Sequence, residues 1–386
     1  MSRASRFAPF GTAAIAAVLI FAAGSTGTTI AGTGGPAAPA ARDADHDLDG
    51  QSALDHIFVI MLETLTVKCH RRPERAIPDL ARPYLRDGRS LLRCHPPFDA
   101  ELHRRHRRRQ FRVQDDNDQN VVNLDRKNLV DQLENHHVSW GAYLQTLPAD
   151  KLARFGPTLT DGTTVSLYAK KHNPFVLFDD IKNNPSGMAK VKDYAALGAD
   201  LNFKKAPSFV WISPNQCSDM HVGVYAGVPG HPETPCPYGI VKDNTNDAAL
   251  KHQSDLSAKN AVTTITGSRA WTRRSAIIVV TDENDYTGNE PTGGWESATG
   301  CCDSPYVGKA DPRVSVNWPG GTYGGGLIPA IVISASGPRH FVDHTPYNHY
   351  SMLTTIENNW HLGHLGHAGD TAGGVLPMNA LFGIAH

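Results

Sequence analysis

The stretch Ser275–Tyr286 reads SAIIVVTDENDY. Its apolar run, Ala276 to Val280, is mostly β-branched and unbroken, and Thr281 follows. Such a run suits a strand buried on both faces in the middle of a parallel sheet. It stops abruptly at Asp282, Glu283, Asn284 and Asp285. Ligands of open α/β sheets bind at the carboxyl ends of the strands. Oxygen atoms crowded there suit a hard or borderline divalent cation. The competing reading is a solvated loop, because acidic residues are common after strands.

A second stretch favours the cation. Asp55–Glu63 reads DHIFVIMLE, another buried-strand pattern closing on a carboxylate. Two strands that each deliver Asp or Glu at the tip form the skeleton of a metallohydrolase, in which a metal polarises a phosphoryl or carbonyl oxygen. Other segments repeat the theme. Ala206–Ser213 (APSFVWIS) runs into Asn215, Asp219 and His221 of PNQCSDMH. Leu167–Phe178 (LYAKKHNPFVLF) sets His172 and Asn173 before Pro174, and His349 opens a predicted helix within Thr345–Trp360. A lone histidine at such a place is more often a cap or a core residue. Polar groups repeated at strand exits are the stronger signal.

Around these anchors, Leu327–Ser334 reads as a further strand and Asn246–Ile265 as a helix. Val121–Leu133 reads as a strand-like entry. Val138–Leu147 reads as an amphipathic helix that Pro148 stops. The 386 residues allow one large α/β domain or two modest ones. Lys plus Arg number 37 against 38 Asp plus Glu, so global charge selects no partner. P-loop, dinucleotide-loop and GxSxG patterns are absent, as are internal repeats.

Residues 1–40 read as a signal peptide and flexible leader. Arg3 and Arg6 precede the apolar Ala13–Ala23, which is short for a membrane span. The expected product is secreted, without a stable membrane anchor after cleavage, and its single domain covers 50–386. Export permits disulfides. Cys217 and Cys236 flank a Gly/Pro-rich loop and are the expected pair. The adjacent Cys301 and Cys302 bond to each other or to other partners. Without a CxxC pair, a zinc–thiolate site is not expected.

Residues 64–112 break the pattern. His103–Arg112 reads HRRHRRRQFR, with no apolar periodicity. Nucleic-acid binding is the obvious reading of such a run, but interleaved aromatics and a recognisable motif are missing, so no nucleic-acid partner is expected.

In order along the chain, DHIFVIMLE, LYAKKHNPF, PNQCSDMH, VVTDENDY, YGGGLIPAIVIS and YNHYSMLTTIE resemble the secreted bacterial phosphoesterases that include acid phosphatases and phospholipase C enzymes, within the alkaline-phosphatase superfamily. The resemblance spans about Asp55 to Trp360, apart from the arginine-rich block. It implies a doubly wound, mostly parallel α/β sheet and metal-dependent hydrolysis of phosphate mono- or diesters, small-molecule or phospholipid. Glu63, Asp282 and Glu283 fall at metal-ligand positions. His172, Asp219, His221 and His349 fall at catalytic, phosphate-facing positions, with Asn173 and Asn215 as substrate contacts. The family's first strand ends in Glu-Asn, whereas Thr64 follows Glu63 here. Its Ser or Thr nucleophile lies in a Pro-Ser-x-Pro-Asn-Tyr segment that this chain lacks.

The block reads as coding sequence in the wrong frame. Synonymous codons for Glu101–Arg112, shifted by one base, spell Asn-Tyr-Ile-Ala-Ala-Ile-Ala-Gly-Gly-Asn-Phe. Those for Pro97–Glu101 spell Pro-Ser-Thr-Pro-Asn, and the text resumes at Gln114. Ala and Gly codons of a GC-rich gene, read out of frame, become arginines. The expectation is that the intended product is active and that the chain as written is badly impaired in folding and close to inactive. The rival reading is a catalytically dead homologue that binds a phosphorylated or anionic ligand.

Overall fold

The computed structural model describes residues 53–63, 90–92, 124–152, 167–220, 236, 247–283, 300–302, 306–308, 320–322, 326 and 328–384. The strands are β1 (His56–Leu62), β2 (Ser90–Leu92), β3 (Trp140–Leu144), β4 (Val191–Asp193), β5 (Phe209–Ser213), β6 (Ser275–Thr281), β7 (Tyr306–Val307), β8 (Gly321–Thr322), β9 (Ala330–Ser334) and β10 (Val342–Asp343). Eight of them form one sheet in the order β10-β2-β9-β6-β1-β5-β3-β4. From β6 to β4 every neighbouring pair is parallel. β9 runs antiparallel to β6 and β2.

The central strands are buried on both faces, as their unbroken apolar runs require. Successive side chains alternate between two cores. Ile57, Val59, Phe209, Trp211, Ile278 and Val280 face one; Phe58, Ile60, Val210, Ile212, Ile277 and Val279 face the other. Three principal helices cover these faces: α1 (Leu129–Asn135), α2 (Asp247–Thr266) and α3 (His349–Asn359). Helix α1 contributes Leu129, Val130 and Leu133 to the first core, and α3 contributes Met352, Leu353 and Ile356. Helix α2 covers the second core with Ala258, Ala261, Val262 and Ile265. Helices on both faces make the sheet doubly wound, as expected.

Two sequence readings are corrected. Val138–Leu147 is not a helix: it contains β3, buried along its whole length. Of the expected strand-like entry Val121–Leu133, the described part from Leu124 is not a strand but leads into α1, with Leu124 making only an isolated bridge to Phe178. Asn128 starts α1 with a capping box. Its side chain accepts from the Val130 and Asp131 amides, and Asp131 accepts from the Asn128 amide. A strand covered on both faces shows no alternation, so periodicity cannot separate it from a buried helix. β2 is a third departure, because it lies inside the arginine-rich segment yet occupies a place in the sheet.

Cys217 pairs with Cys236, as expected, and Cys301 pairs with its neighbour Cys302. Away from the strand tips, a carboxyl group lies in the core: Glu357 of α3 is fully buried. Its Oε1 accepts from the Leu365 amide at 2.9 Å. Its Oε2 has no hydrogen-bond partner among the described residues, nor has the buried Oε1 of Gln132. The Gln132 side chain lies against Glu357, and burial pushes this carboxyl up to about 8, the Leu365 amide and the nearby Gln132 amide group pulling the other way.

Candidate active site

The strand order places the site. Strands β5 and β6 flank β1, and α2 carries the chain over β1 between them. The carboxyl ends of these three strands form the crevice at which α/β sheets bind ligands. The ladder pairs Leu62 with Thr281, so the next residues, Glu63 and Asp282, leave their strands side by side. The Asp282 amide donates to the Leu62 carbonyl at 3.0 Å, and the Glu63 amide donates to the Asp219 carbonyl at 2.6 Å. Backbone bonds therefore tie three carboxylate-bearing residues to one place.

Glu63, His172, Asp219 and Asp282 line one pocket, with Met61, Trp211, Ser213 and Pro214. His172 lies between two of the carboxylates. Its Nε2 is 2.6 Å from Glu63 Oε1 and its Nδ1 is 3.3 Å from Asp219 Oδ2. Burial disfavours the imidazolium, but Glu63 and Asp219 outweigh it and push the ring up to about 10. Asp282 is shifted upward by burial and then by the charge of Glu63, with His172 opposing. One imidazolium does not neutralise three carboxylates, so a proton or a further cation is favoured here. Asp282 Oδ2 is buried without a hydrogen-bond partner among the described residues.

A supporting chain holds His172 from behind. Trp211 Nε1 donates to Ser213 Oγ at 2.8 Å, and Ser213 Oγ donates to the His172 carbonyl at 3.0 Å. Sequence reasoning missed both residues. The available signal was Ser213, a hydroxyl closing the apolar β5.

The remaining candidates are placed differently. Glu283 is buried beside Asp282, and its amide donates to Asp282 Oδ1 at 2.7 Å. His349 is the first residue of α3 but does not line the pocket; its Nε2 is 2.9 Å from the Thr281 carbonyl, just before Asp282. Asn173 is fully buried and donates to the Tyr168 hydroxyl. Asn215 holds its own loop, donating to Thr146 Oγ1 and accepting from the Cys217 amide. His221 and Thr64 lie outside the described residues, as does the segment in which a nucleophile was expected.

Among the described residues, no cluster of three or more His, Cys, Asp or Glu has metal-binding geometry. The donor set nevertheless fits a divalent cation in kind. It is oxygen-rich with one imidazole, carries excess negative charge, and includes the unpartnered Asp282 oxygen.

The sequence matches the Phosphoesterase family over residues 41–229 and 241–363. The chain belongs to this family. The matched span runs across the arginine-rich block as well as every motif above. Among curated phosphoesterase relatives, the acid phosphatase of Aspergillus fumigatus is 32% identical over 252 residues, covering 65% of this chain and 43% of the relative. The probable acid phosphatase of Kluyveromyces lactis is 27% identical over 246 residues, covering 63% and 44%. The chain thus spans less than half the length of these relatives. Both are fungal and do not carry the bacterial attribution. Among solved structures, the phosphonate monoester hydrolase of Agrobacterium radiobacter aligns with a TM-score of 0.43 at 11% identity, covering 86% of this chain and 78% of that one. A protein of the alkaline phosphatase superfamily from Vibrio parahaemolyticus aligns at 0.39 and 11%, covering 83% and 72%.

Proposed function

We propose that the intended product of this gene is a secreted, metal-dependent phosphoesterase of acid-phosphatase type. The observation that supports it is the meeting of Glu63, His172, Asp219 and Asp282 in one pocket at the strand tips of a phosphoesterase-family chain. Glu63, Asp219 and Asp282, with Glu283 adjoining, are the residues that would hold the cation. When bound, it would polarise the phosphoryl oxygens and lower the barrier to attack at phosphorus. His172 holds a proton between Glu63 and Asp219 and presents positive charge to a phosphate group. His349 positions the Thr281–Asp282 turn by its hydrogen bond to the Thr281 carbonyl. His221, Asn173 and Asn215 stay proposed phosphate contacts.

The nucleophile belongs to the frame-restored text, with its hydroxyl on the Pro-Ser-Thr-Pro-Asn segment. The chain as written lacks it, and losing a covalent nucleophile costs orders of magnitude in rate. This absence favours the second reading, a catalytically dead homologue holding a phosphorylated ligand. The leader lies outside the described residues. Among those that are described, no helix is long and apolar enough to cross a membrane.

The test compares two chains, one as written and one with residues 64–112 translated in the shifted frame. Each is assayed with p-nitrophenyl phosphate and with a phospholipid, with magnesium, calcium, manganese, iron or zinc added. Turnover by the restored chain alone, lost to chelator, supports the proposal. Equal turnover by both chains refutes the frameshift, and none by either leaves the ligand-binding reading.

A further inference from the structure

The end of the sheet opposite the active site carries an unusual surface. The turn Asn202–Lys205 exposes all four of its residues. Phe203 is 74% exposed, the most of any large apolar side chain among the described residues. Lys204 and Lys205 follow it, and exposed Arg269 stands on the adjoining loop. These three cations have no acidic partner among the described residues. The neighbouring Lys190, Lys192 and Arg274 are paired with Glu134, Asp200 and Asp55. The turn is not a loose tip. The Arg269 amide donates to Asn202 Oδ1, and the Ala270 amide donates to the Leu201 carbonyl, each at 3.2 Å. Two shallow grooves meet at Phe203 and Lys205.

We propose that this surface docks on an anionic lipid membrane, with Phe203 entering the headgroup boundary and Lys204, Lys205 and Arg269 facing the lipid phosphates. An exposed aromatic ring set among unpaired cations is the interfacial pattern. Lysine stems lie along apolar surface while their ammonium groups reach phosphate. A soluble polyanion would use the cations but would leave the ring in water.

The topology adds an orientation. Phe203 and Arg269 sit at the amino ends of β5 and β6, and the catalytic pocket is at their carboxyl ends. Strands of this length separate the two by roughly 15–25 Å. Docked in this way, the protein turns its pocket toward the medium. Lipids of the same membrane are then out of reach, and soluble phosphate esters are the accessible substrate class. This orientation, unlike the docking itself, builds on the proposed phosphoesterase reading.

The experiment is co-sedimentation of the full chain with vesicles at low ionic strength, which needs no catalysis. Vesicles of phosphatidylcholine with phosphatidylserine should bind it, and phosphatidylcholine alone should not. Each basic residue near an anionic surface contributes about 1 kcal/mol, so K204Q/K205Q should weaken partitioning about 30-fold. F203A should weaken it about tenfold, from lost apolar contact. Circular dichroism should be unchanged in both variants, because the altered side chains are exposed. Absence of sedimentation with anionic vesicles overturns the proposal. So does binding that F203A leaves intact and heparin competes away, which would assign the surface to a soluble polyanion.

Discussion

Replacing Glu357 by Gln isolates a single buried charge whose effect on stability has a definite sign. In the folded protein burial holds this carboxyl at about 8, against an ordinary value of 4.5. Folding therefore favours its protonated form. The stability it contributes is full below pH 4.5, falls as the pH rises, and is lost once the pH passes about 8. The interval is about 3.5 pH units, and at about 1.4 kcal/mol per unit the loss is about 5 kcal/mol, an upper bound once water penetration is allowed for. Glutamine imitates the neutral acid. Its Oε1 can accept from the Leu365 amide as the carboxyl does. The assay is denaturant unfolding of both proteins from pH 4 to pH 9. Their stabilities should be similar near pH 4.5. The variant should gain on the parent through pH 8 by 2–5 kcal/mol, then run parallel. Parallel curves throughout, or a parent that gains on the variant with rising pH, would refute the assignment of a neutral Glu357.

Other perturbations address the site and its supports. Ser213→Ala strands the Trp211 indole N–H and the His172 carbonyl, and should lower stability by about 1–3 kcal/mol in urea unfolding. Cys217→Ser with Cys236→Ser removes a link across 19 positions and should cost about 2–4 kcal/mol, read as a lower melting temperature. In the frame-restored chain, Asp282→Asn should reduce phosphatase turnover by at least about a hundredfold while leaving the melting curve of the metal-free protein unchanged or raised, because a like charge beside Glu63 is removed.

The parts of the fold legible in the sequence were those where burial and chemistry change together. β1 and β6 were readable because unbroken apolar runs end on carboxylates, and α3 was readable as the helix that His349 opens within Thr345–Trp360. β3 was illegible because burial on both faces erases alternation. The antiparallel course of β9 was illegible because an apolar strand carries no mark of its direction. In the site, Glu63, Asp219 and Asp282 could be nominated from their places at strand exits. The position of His172 between Glu63 and Asp219 could not, since it depends on a short turn brought in from a distant part of the chain. His349 was nominated for the phosphate from its place at a helix start; its hydrogen bond to the Thr281 carbonyl could not be read there.

The in-register pairing of Leu62 with Thr281 bears on which genetic lesions the site can survive. Because Glu63 and Asp282 are set side by side by the ladder, deleting one codon inside β1 or β6 would turn one carboxylate to the opposite face of the sheet. Gains and losses in the crossovers leave that pairing untouched. The arginine-rich text begins at Thr64, one residue beyond Glu63. A reading-frame accident there can erase a nucleophile and still pass on an intact carboxylate pair, so the surviving motif records ancestry more faithfully than it records present activity.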